Sequence, residues 1–380
     1  MKEKKRSFFR RFFSRIVLLV NFGAILWLVL CAIAPNAHPL HVDYIAIFSL
    51  TTPYAVIVNL AFVFFWLFFS SRKLRAFYSL ITLVGCYQLI TTVFAFNLES
   101  NDFATKENRL KVMTWNAHGM GIFNKPKDKE FDKKMVSFIA NIDADVVCLP
   151  EFPIPKTTIE TPLAEKISEA GKYKDYRFQA DNTLGKYIFL GTAVFSRYPI
   201  HNFKAHKLAD FIYLLQGDVS LPHNDTLRFF FVHLNTFGLS DYDKAYLEEI
   251  GKKDSDLKKD LKRTSTYIGK FNFAFARRAR EADAAREIIN KSPYPVVVCG
   301  DLNDLPGSYT YTTIKGELKD AFLEKGFGIG RTYNQLAPTL RIDHMLYDGD
   351  YLNCLGYKSP YTSLSDHNPV IANFEIIGTD

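Results

Sequence analysis

Between residues 110 and 380, polar residues of one chemical kind recur where short apolar runs stop. Asn116 follows Leu110–Trp115, Glu151 follows Asp145–Leu149, and His233 lies near the end of Leu227–Leu234. Asp301 and Asn303 come just after Val296–Cys299, Asp343 and His344 lie within Ile342–Tyr347, and Asp366 and His367 just precede Val370–Ile376. Singly, each has a bland reading, since an Asn or Asp after a strand is more often a turn former than a ligand. Together they mean that successive strands end in oxygen or imidazole groups able to converge at one sheet edge. Glu, Asp and Asn are hard oxygen ligands and no Cys joins them, a set that suits Mg²⁺ or Mn²⁺ better than Zn²⁺. Two histidines beside carboxylates supply the acid–base half of a hydrolase. Such a combination fits water attack on a phosphoester: a metal neutralises phosphoryl oxygens, one base aligns water, one acid protonates the leaving oxygen.

The elements that must position these residues are legible from pattern. The runs just named, with Thr192–Phe195, read as strands by length and by β-branched or aromatic content. Phe131, Met135, Phe138, Ile139 and Ile142 recur at helical spacing, as do Ala282, Ala285 and Ile289 ahead of Pro293. The result is an α/β or α+β domain of roughly 270 residues, large enough for a two-sheet core. No internal repeat is present. Five cysteines without a CxxC spacing exclude a zinc or disulfide scaffold, and Cys148 and Cys299 read as core hydrophobes.

The first hundred residues are of another kind. Ile16–Ala34, Tyr44–Ser70 and Ala76–Asn97 are uncharged over 19, 27 and 22 residues, and a bilayer-spanning helix needs about 20. Ala32-Ile33-Ala34 resembles a signal-peptide cleavage site, but the run is long and Pro35 follows, so a retained helix is the preferred reading. Lys2, Lys4, Lys5, Arg6, Arg10, Arg11 and Arg15 precede the first span, and Arg72, Lys73 and Arg75 separate the second from the third. The loop from Pro35 to Asp43 has neither Lys nor Arg, so residues 1–15 are assigned to the cytoplasm. Three spans over 16–97 and a linker over 98–109 then deliver a catalytic domain, 110–380, to the extracytoplasmic side of a multi-pass membrane protein. The net charge of +7 belongs to the membrane part: residues 1–97 carry +8 and the remainder −1, which removes any bulk electrostatic case for nucleic acid.

The ordered motifs of residues 110–380 resemble one family, the endonuclease/exonuclease/phosphatase superfamily. The resemblance rests on Thr114-Trp115-Asn116, Asp145–Glu151, Gly191–Ile200, Val232-His233-Leu234, Gly300–Asp304, Arg341–His344 and Ser365–Val370. It implies a four-layer α/β sandwich with two central β-sheets and the site at one edge. It further implies Glu151 as principal metal ligand, with Asn116 and Asp366 helping to place the Mg²⁺ (or Mn²⁺) or the phosphate. Asp301 and Asn303 would position the water and the scissile phosphate. His367, oriented by Asp343, would contact the phosphate or act as base, and His233 would be the second histidine. Which of the two is acid and which is base stays open. Pro150 departs from the family, which commonly has Gln beside the glutamate, and His233 has no evident carboxylate partner in the sequence. His38, His41, His118 and His223 read as loop histidines, His344 as a packing residue on the opposite strand face, and Arg197 as structural.

Phe237–Ala276 is a long charged connection, with Lys252, Lys253, Lys258, Lys259, Lys262 and Arg263 followed by Tyr267, Phe271, Phe273 and Phe275. It reads as a solvated helical hairpin, or else as a lid or membrane-facing element. The membrane tether and the −1 domain charge favour a lipid or small-molecule phosphoester as substrate. A nuclease is the alternative, although it usually wants a basic groove. A catalytically inactive binding or scaffold module is the other alternative, disfavoured because every acidic, amide and imidazole position is filled.

Overall fold

The computed structural model describes residues 2–99, 101–104, 108–123, 130–157, 161–222, 225–238 and 257–378, with side chains described from residue 12 and, after 238, from 266. His223, Lys252 and Lys253 lie outside the described residues. So do the side chains of Lys258, Lys259, Lys262 and Arg263, and the basic side chains before residue 12. The chain divides into two compact units, Met1–Val93 with Pro306–Tyr309, and Phe94–Leu305 with Thr310–Asp380.

In the first unit, Phe12–Asn36 and Ile45–Phe69 are each 25 residues long and apolar enough to cross a bilayer. The third expected span is a bent pair, Lys73–Gly85 and Tyr87–Val93, turned by 64° at the break. There are thus two candidate crossings, or three if the bent pair counts as one. The helix stops at Val93, short of Asn97, because Ala95 and Phe96 are drawn into a strand. Polar side chains stitch the helices together: Asn21 donates to Ser79 Oγ (2.6 Å) and accepts from Trp66 Nε1 (2.8 Å). Asn59 donates to the carbonyl of Ala24 at 2.9 Å. Inside an apolar bundle such groups must find each other, since the surrounding apolar side chains offer no partner.

The second unit is built from strands β1 (Ala95–Phe96), β2 (Arg109–Thr114), β3 (Val146–Pro155), β4 (Asp175–Leu184), β5 (Ile188–Ser196), β6 (Ile200–Ala209) and β7 (Ile212–Ser220). These are followed by β8 (Thr226–His233), β9 (Val296–Asp301), β10 (Lys319–Asp320), β11 (Phe327–Gly328), β12 (Asp343–Tyr347), β13 (Leu352–Lys358) and β14 (Val370–Ile376). Two mixed six-stranded sheets result, in orders β13-β14-β2-β3-β5-β4 and β10-β12-β9-β8-β7-β6, beside a small β1–β11 ribbon. Val112, Val194, Phe229, Phe231, Cys299 and Phe374 meet in the core between the sheets. Helices Phe131–Ile142 and Pro162–Gly171 cover the far face of the first sheet through Met135, Ile139, Ala164 and Ile167. Helix Leu257–Ile289 covers the second through Ala282, Ala285 and Ile289. The domain is the expected four-layer α/β sandwich.

Two local features shape the strand ends that carry the polar residues. The β3–β5 register shifts between Leu149 and Phe152, and within that bulge Glu151 adopts a left-handed backbone (φ 56°). Pro150, with no N–H to pair, sits where the ladder is already broken. Gly300 runs at φ 142°, and a Cβ there would lie 1.9 Å from the Val232 carbonyl oxygen. Only glycine lets β8 and β9 close upon each other at their catalytic ends.

Candidate active site

Strand register alone assembles half of the site. His233 pairs across to Asp301 on parallel β9, and Asp301 pairs to Asp343 on antiparallel β12, so the three stand in one row. In the first sheet, Thr114 at the end of β2 lies opposite Val370 and beside Cys148. The segments running on from these strands carry Asn116, Glu151, Asp366 and His367. Both sheets therefore terminate on one polar cluster.

The distances make it a single network. Asn116 Nδ2 donates to Glu151 Oε1 (3.0 Å) and to Asp301 Oδ2 (3.1 Å), which links the two sheets. His367 Nδ1 lies 2.8 Å from Asp343 Oδ2, and its Nε2 is 3.9 Å from Asp301 Oδ2. His233 Nε2 is 3.8 Å from Glu151 Oε1. Asn303 donates its backbone N–H to Asp301 Oδ1 (2.7 Å), while its Nδ2 is committed to the Leu234 carbonyl (2.8 Å). It braces the ends of β8 and β9 in this state. The His367 loop is pinned by Trp115 Nε1, which donates to the His367 carbonyl at 2.9 Å, and by Ser365 Oγ, which donates to the Asn116 carbonyl at 2.8 Å. All eight sequence-predicted site residues are thus gathered at one place, Asp366 through its contact with His118.

Two residues of this cluster are not among the site residues expected from the sequence. Asp181, on edge strand β4, supplies the carboxylate partner of His233, with Oδ2 3.5 Å from Nδ1. The sequence hides it because the polar/apolar alternation of Asp175–Ala180 stops just before it, and Asp181-Asn182-Thr183 reads as a polar turn. His118 is no mere loop residue, since its Nδ1 lies 3.4 Å from Asp366 Oδ1 and 3.8 Å from Glu151 Oε2. Its only sequence signal is a position two residues after Asn116, whose Oδ1 accepts the His118 N–H. His344 is a packing residue as expected, buried with Nε2 3.3 Å from the Asp304 carbonyl. Arg197 is structural, bonded to Asp143 and Asp145.

Five carboxylates this close are tolerable only with compensating charge. Burial and the neighbouring Asp343 push Asp301 up to about 6. Burial opposes the imidazolium of His367, but Asp343, Asp301 and Asp366 outweigh it and raise the group to about 10. The same contest at His233, with Asp181, Asp301 and Glu151 prevailing over burial, raises it to about 9. Glu151 is held below its ordinary value: burial pushes it up, and His233 and the Asn116 amide pull it further down. Asp343 Oδ1 and His233 Nε2 are buried with no hydrogen-bond partner among the described residues. Asp301, Asp343 and His367 present ligand atoms all within 4.8 Å of one another. Oxygen-rich, over-acidic and incompletely paired, this site is a chemical fit for a hard divalent cation.

The chain belongs to the Endonuclease/Exonuclease/phosphatase family, whose model matches residues 113–367. Members hydrolyse phosphoester bonds and are typically dependent on a divalent metal. A second model, a domain of unknown function (DUF8431), matches residues 14–93. No curated protein matches the chain significantly. Among solved structures, an endonuclease/exonuclease/phosphatase from Beutenbergia cavernae is similar at 18% identity and TM-score 0.51, over 71% of this chain and 72% of that one. The human Nocturnin catalytic domain is similar at 16% identity and TM-score 0.50, over 73% and 97%. The 2′,3′-cyclic phosphatase ANGEL2 is similar at 14% and 0.50, over 70% and 95%. These likenesses establish a shared fold.

The Asp181–His233 pair has a measurable consequence. His233 is raised from 6.5 to about 9 in the folded protein, so the pair's stabilisation is complete below about 6.5 and is lost as pH rises through about 9. Asp181→Asn should move the His233 titration down in the metal-free protein, read by NMR of labelled histidine. Its cost in unfolding free energy should be larger at pH 6 than at pH 10. A titration unmoved by the substitution would show that the two side chains do not interact.

Proposed function

We propose that this chain is a membrane-anchored, Mg²⁺- or Mn²⁺-dependent phosphoester hydrolase acting on a lipid or small-molecule phosphoester outside the cytoplasm. The observation that carries the hydrolase reading is the Asn116 amide, bonded at once to Glu151 and Asp301, which joins the ends of two sheets into one acidic, imidazole-flanked site. The near-neutral charge of residues 98–380 supports a lipid or small-molecule substrate over nucleic acid.

In this reading Glu151 is the principal metal ligand, with Asn116 and Asp366 placing the metal or the phosphate. A bound divalent cation supplies neutralisation of phosphoryl oxygen charge. Asp301, held near 6, is close to neutral pH, where a carboxylate is most effective in aligning and deprotonating water. Asn303 holds Asp301 in place through its backbone N–H. His233 and His367 are both protonated at neutral pH, which suits them to bind phosphate or donate a proton to a leaving oxygen. Asp343 and Asp181 fix the orientation of His367 and His233 through Nδ1, leaving each Nε2 for the substrate.

Activity on a generic phosphodiester should need Mg²⁺ or Mn²⁺, vanish in EDTA and vanish in Glu151→Gln; full turnover in either case would refute the metal assignment. A panel of sphingomyelin, phosphoinositides, bis-nitrophenyl phosphate and plasmid DNA should show preference for the lipid or small esters, and selective DNA cleavage would favour the nuclease reading.

Loss of either histidine should lower turnover on the order of 10²–10⁴-fold. The leaving-group histidine has a further signature: its removal spares nitrophenyl esters, whose leaving group departs without a proton, while natural esters fail. One of His233→Ala and His367→Ala is therefore expected to show this split and the other to lose both activities. Equal losses on both ester types in both variants would reduce the histidines to phosphate binders.

The charge asymmetry around the apolar spans supports an extracytoplasmic position for residues 98–380. A reporter fused after Asp380 should be active only there, and activity confined to the cytoplasm would reverse the topology.

A further inference from the structure

The chain passes from its apolar segment into the catalytic unit with almost no slack. Val93 ends the last apolar helix, and Phe94 alone separates it from Ala95–Phe96, which pairs antiparallel with Phe327–Gly328. The join is fastened on the catalytic side. Asn97 Nδ2 donates to the carbonyls of Leu323 (2.8 Å) and Gly326 (3.0 Å), and its backbone N–H to Gly326 as well. Lys325 pairs with Glu99.

Chain geometry then limits where this ribbon can be. Three peptide steps join Val93 to Phe96, so their Cα atoms are at most about 11 Å apart. The headgroup zone on each face of a bilayer is roughly 6–8 Å deep beyond the hydrocarbon. Whether the bent helix pair crosses the membrane or its second arm lies along the surface, Val93 comes out at the hydrocarbon boundary. Phe96 is then held in the headgroup zone or at its outer margin.

The side chains found there are the wrong ones for water. Phe96 is 68% exposed, Phe327 63% and Leu98 88%, on a ribbon two residues wide. Phe96 and Phe327 meet edge to face with centroids 6.4 Å apart, and Phe94 stacks on Phe96 at 6.3 Å. Adjoining exposed aromatics need an explanation, and aromatic side chains concentrate at membrane interfaces.

We propose that the β1–β11 ribbon, through Phe96, Phe327 and Leu98, is a membrane-seating surface of the catalytic unit, immersed in the headgroup layer of the leaflet from which the chain emerges. The occupant of this patch is lipid: the short covalent path from Val93 keeps Phe96 in the headgroup layer or at its margin, and exposed aromatic side chains suit that layer. Seated this way, the catalytic unit is held to the membrane at two places, by its covalent join and by the ribbon, which restricts its swing. This inference rests on the membrane-anchored reading.

The test uses the full chain in phosphatidylcholine/phosphatidylglycerol vesicles, with a nitroxide on F327C and, independently, on L98C. Collision of each label with oxygen and with a nickel chelate present on both sides of the membrane reports its depth. All five native cysteines are buried, so the unsubstituted protein gives the labelling background. V84C, on the exposed side of an apolar helix, marks the hydrocarbon, and the most nickel-accessible of Y187C, F211C and Y361C marks water. Labels at 327 and 98 should show an oxygen-to-nickel ratio several-fold above the aqueous marker and below that of V84C. If V84C is lipid-embedded while 327 and 98 match the aqueous marker, the seating surface is overturned and the anchor stands. If V84C itself is nickel-accessible, the anchor fails and the inference fails with it.

Discussion

Five carboxylates crowded at the edge where two sheets end set the terms for the rest of the second unit. Like charges at this spacing repel strongly once water is excluded, and burial removes the solvent that would screen them. The chain meets this in three ways. Two imidazoles are brought in from different strands and held charged, the Asn116 amide donates to two of the acids at once, and Asp301 rises toward neutral pH. What charge is left over is the binding energy available to a cation and a phosphate. An apolar replacement would make a more stable domain and an inert one.

Holding that arrangement needs a rigid surround, and the surround is itself made of buried ion pairs. Fully buried Arg278 reaches Asp304 at 3.2 Å and the Asn235 carbonyl at 3.1 Å, with the ring of Phe237 4.2 Å from its guanidinium carbon. Glu281, one turn further along the same helix, accepts from the backbone and side chain of Asn235. On the other flank, Asp320 accepts from Arg341 (2.6 Å) and Tyr311 (2.8 Å), and these partners together with His344 hold it well below the usual carboxylate range despite its burial. Both clusters involve residues adjacent in sequence to those of the polar site: Asn235 two after His233, Asp304 next to Asn303, Arg341 and His344 around Asp343. Buried pairs contribute little net stability, but they resist rearrangement because removing one partner strands the other. Their place here is to fix the loops that carry the clustered polar side chains.

The sequence made the site visible through strand ends, and hid what lay on strand edges. Leu110–Trp115, Leu227–Leu234, Val296–Cys299, Ile342–Tyr347 and Val370–Ile376 all correspond to inner strands, whose two covered faces demand unbroken apolar runs. The strands absent from the sequence reading include β4, β6, β10 and β13, the outer members of the two sheets. An edge strand is half in water, so it lacks the continuous apolar run of an inner one. β4 alternates polar and apolar residues over Asp175–Ala180, but Asp181 lies in the polar stretch beyond that alternation. β7 is an inner strand that escaped notice because Gln216, Gly217 and Asp218 interrupt its apolar run, and Asp218 is there to pair with Arg228 at 2.6 Å.

By itself, then, the sequence determined which residues would gather: oxygen and imidazole groups at successive strand ends, an apolar segment ahead of them, and a family whose order of motifs they match. It did so because strand termini, turn residues and apolar runs are local consequences of composition. The third dimension decided the pairings. That His233 leans on Asp181, that His118 faces Asp366 and Glu151, that Asn116 bridges two sheets, and that Phe96 is captured by Phe327 each depend on residues from 33 to 248 positions apart being brought together. Such contacts follow from strand register and sheet order, which the packing of the whole core selects and no short stretch of residues encodes.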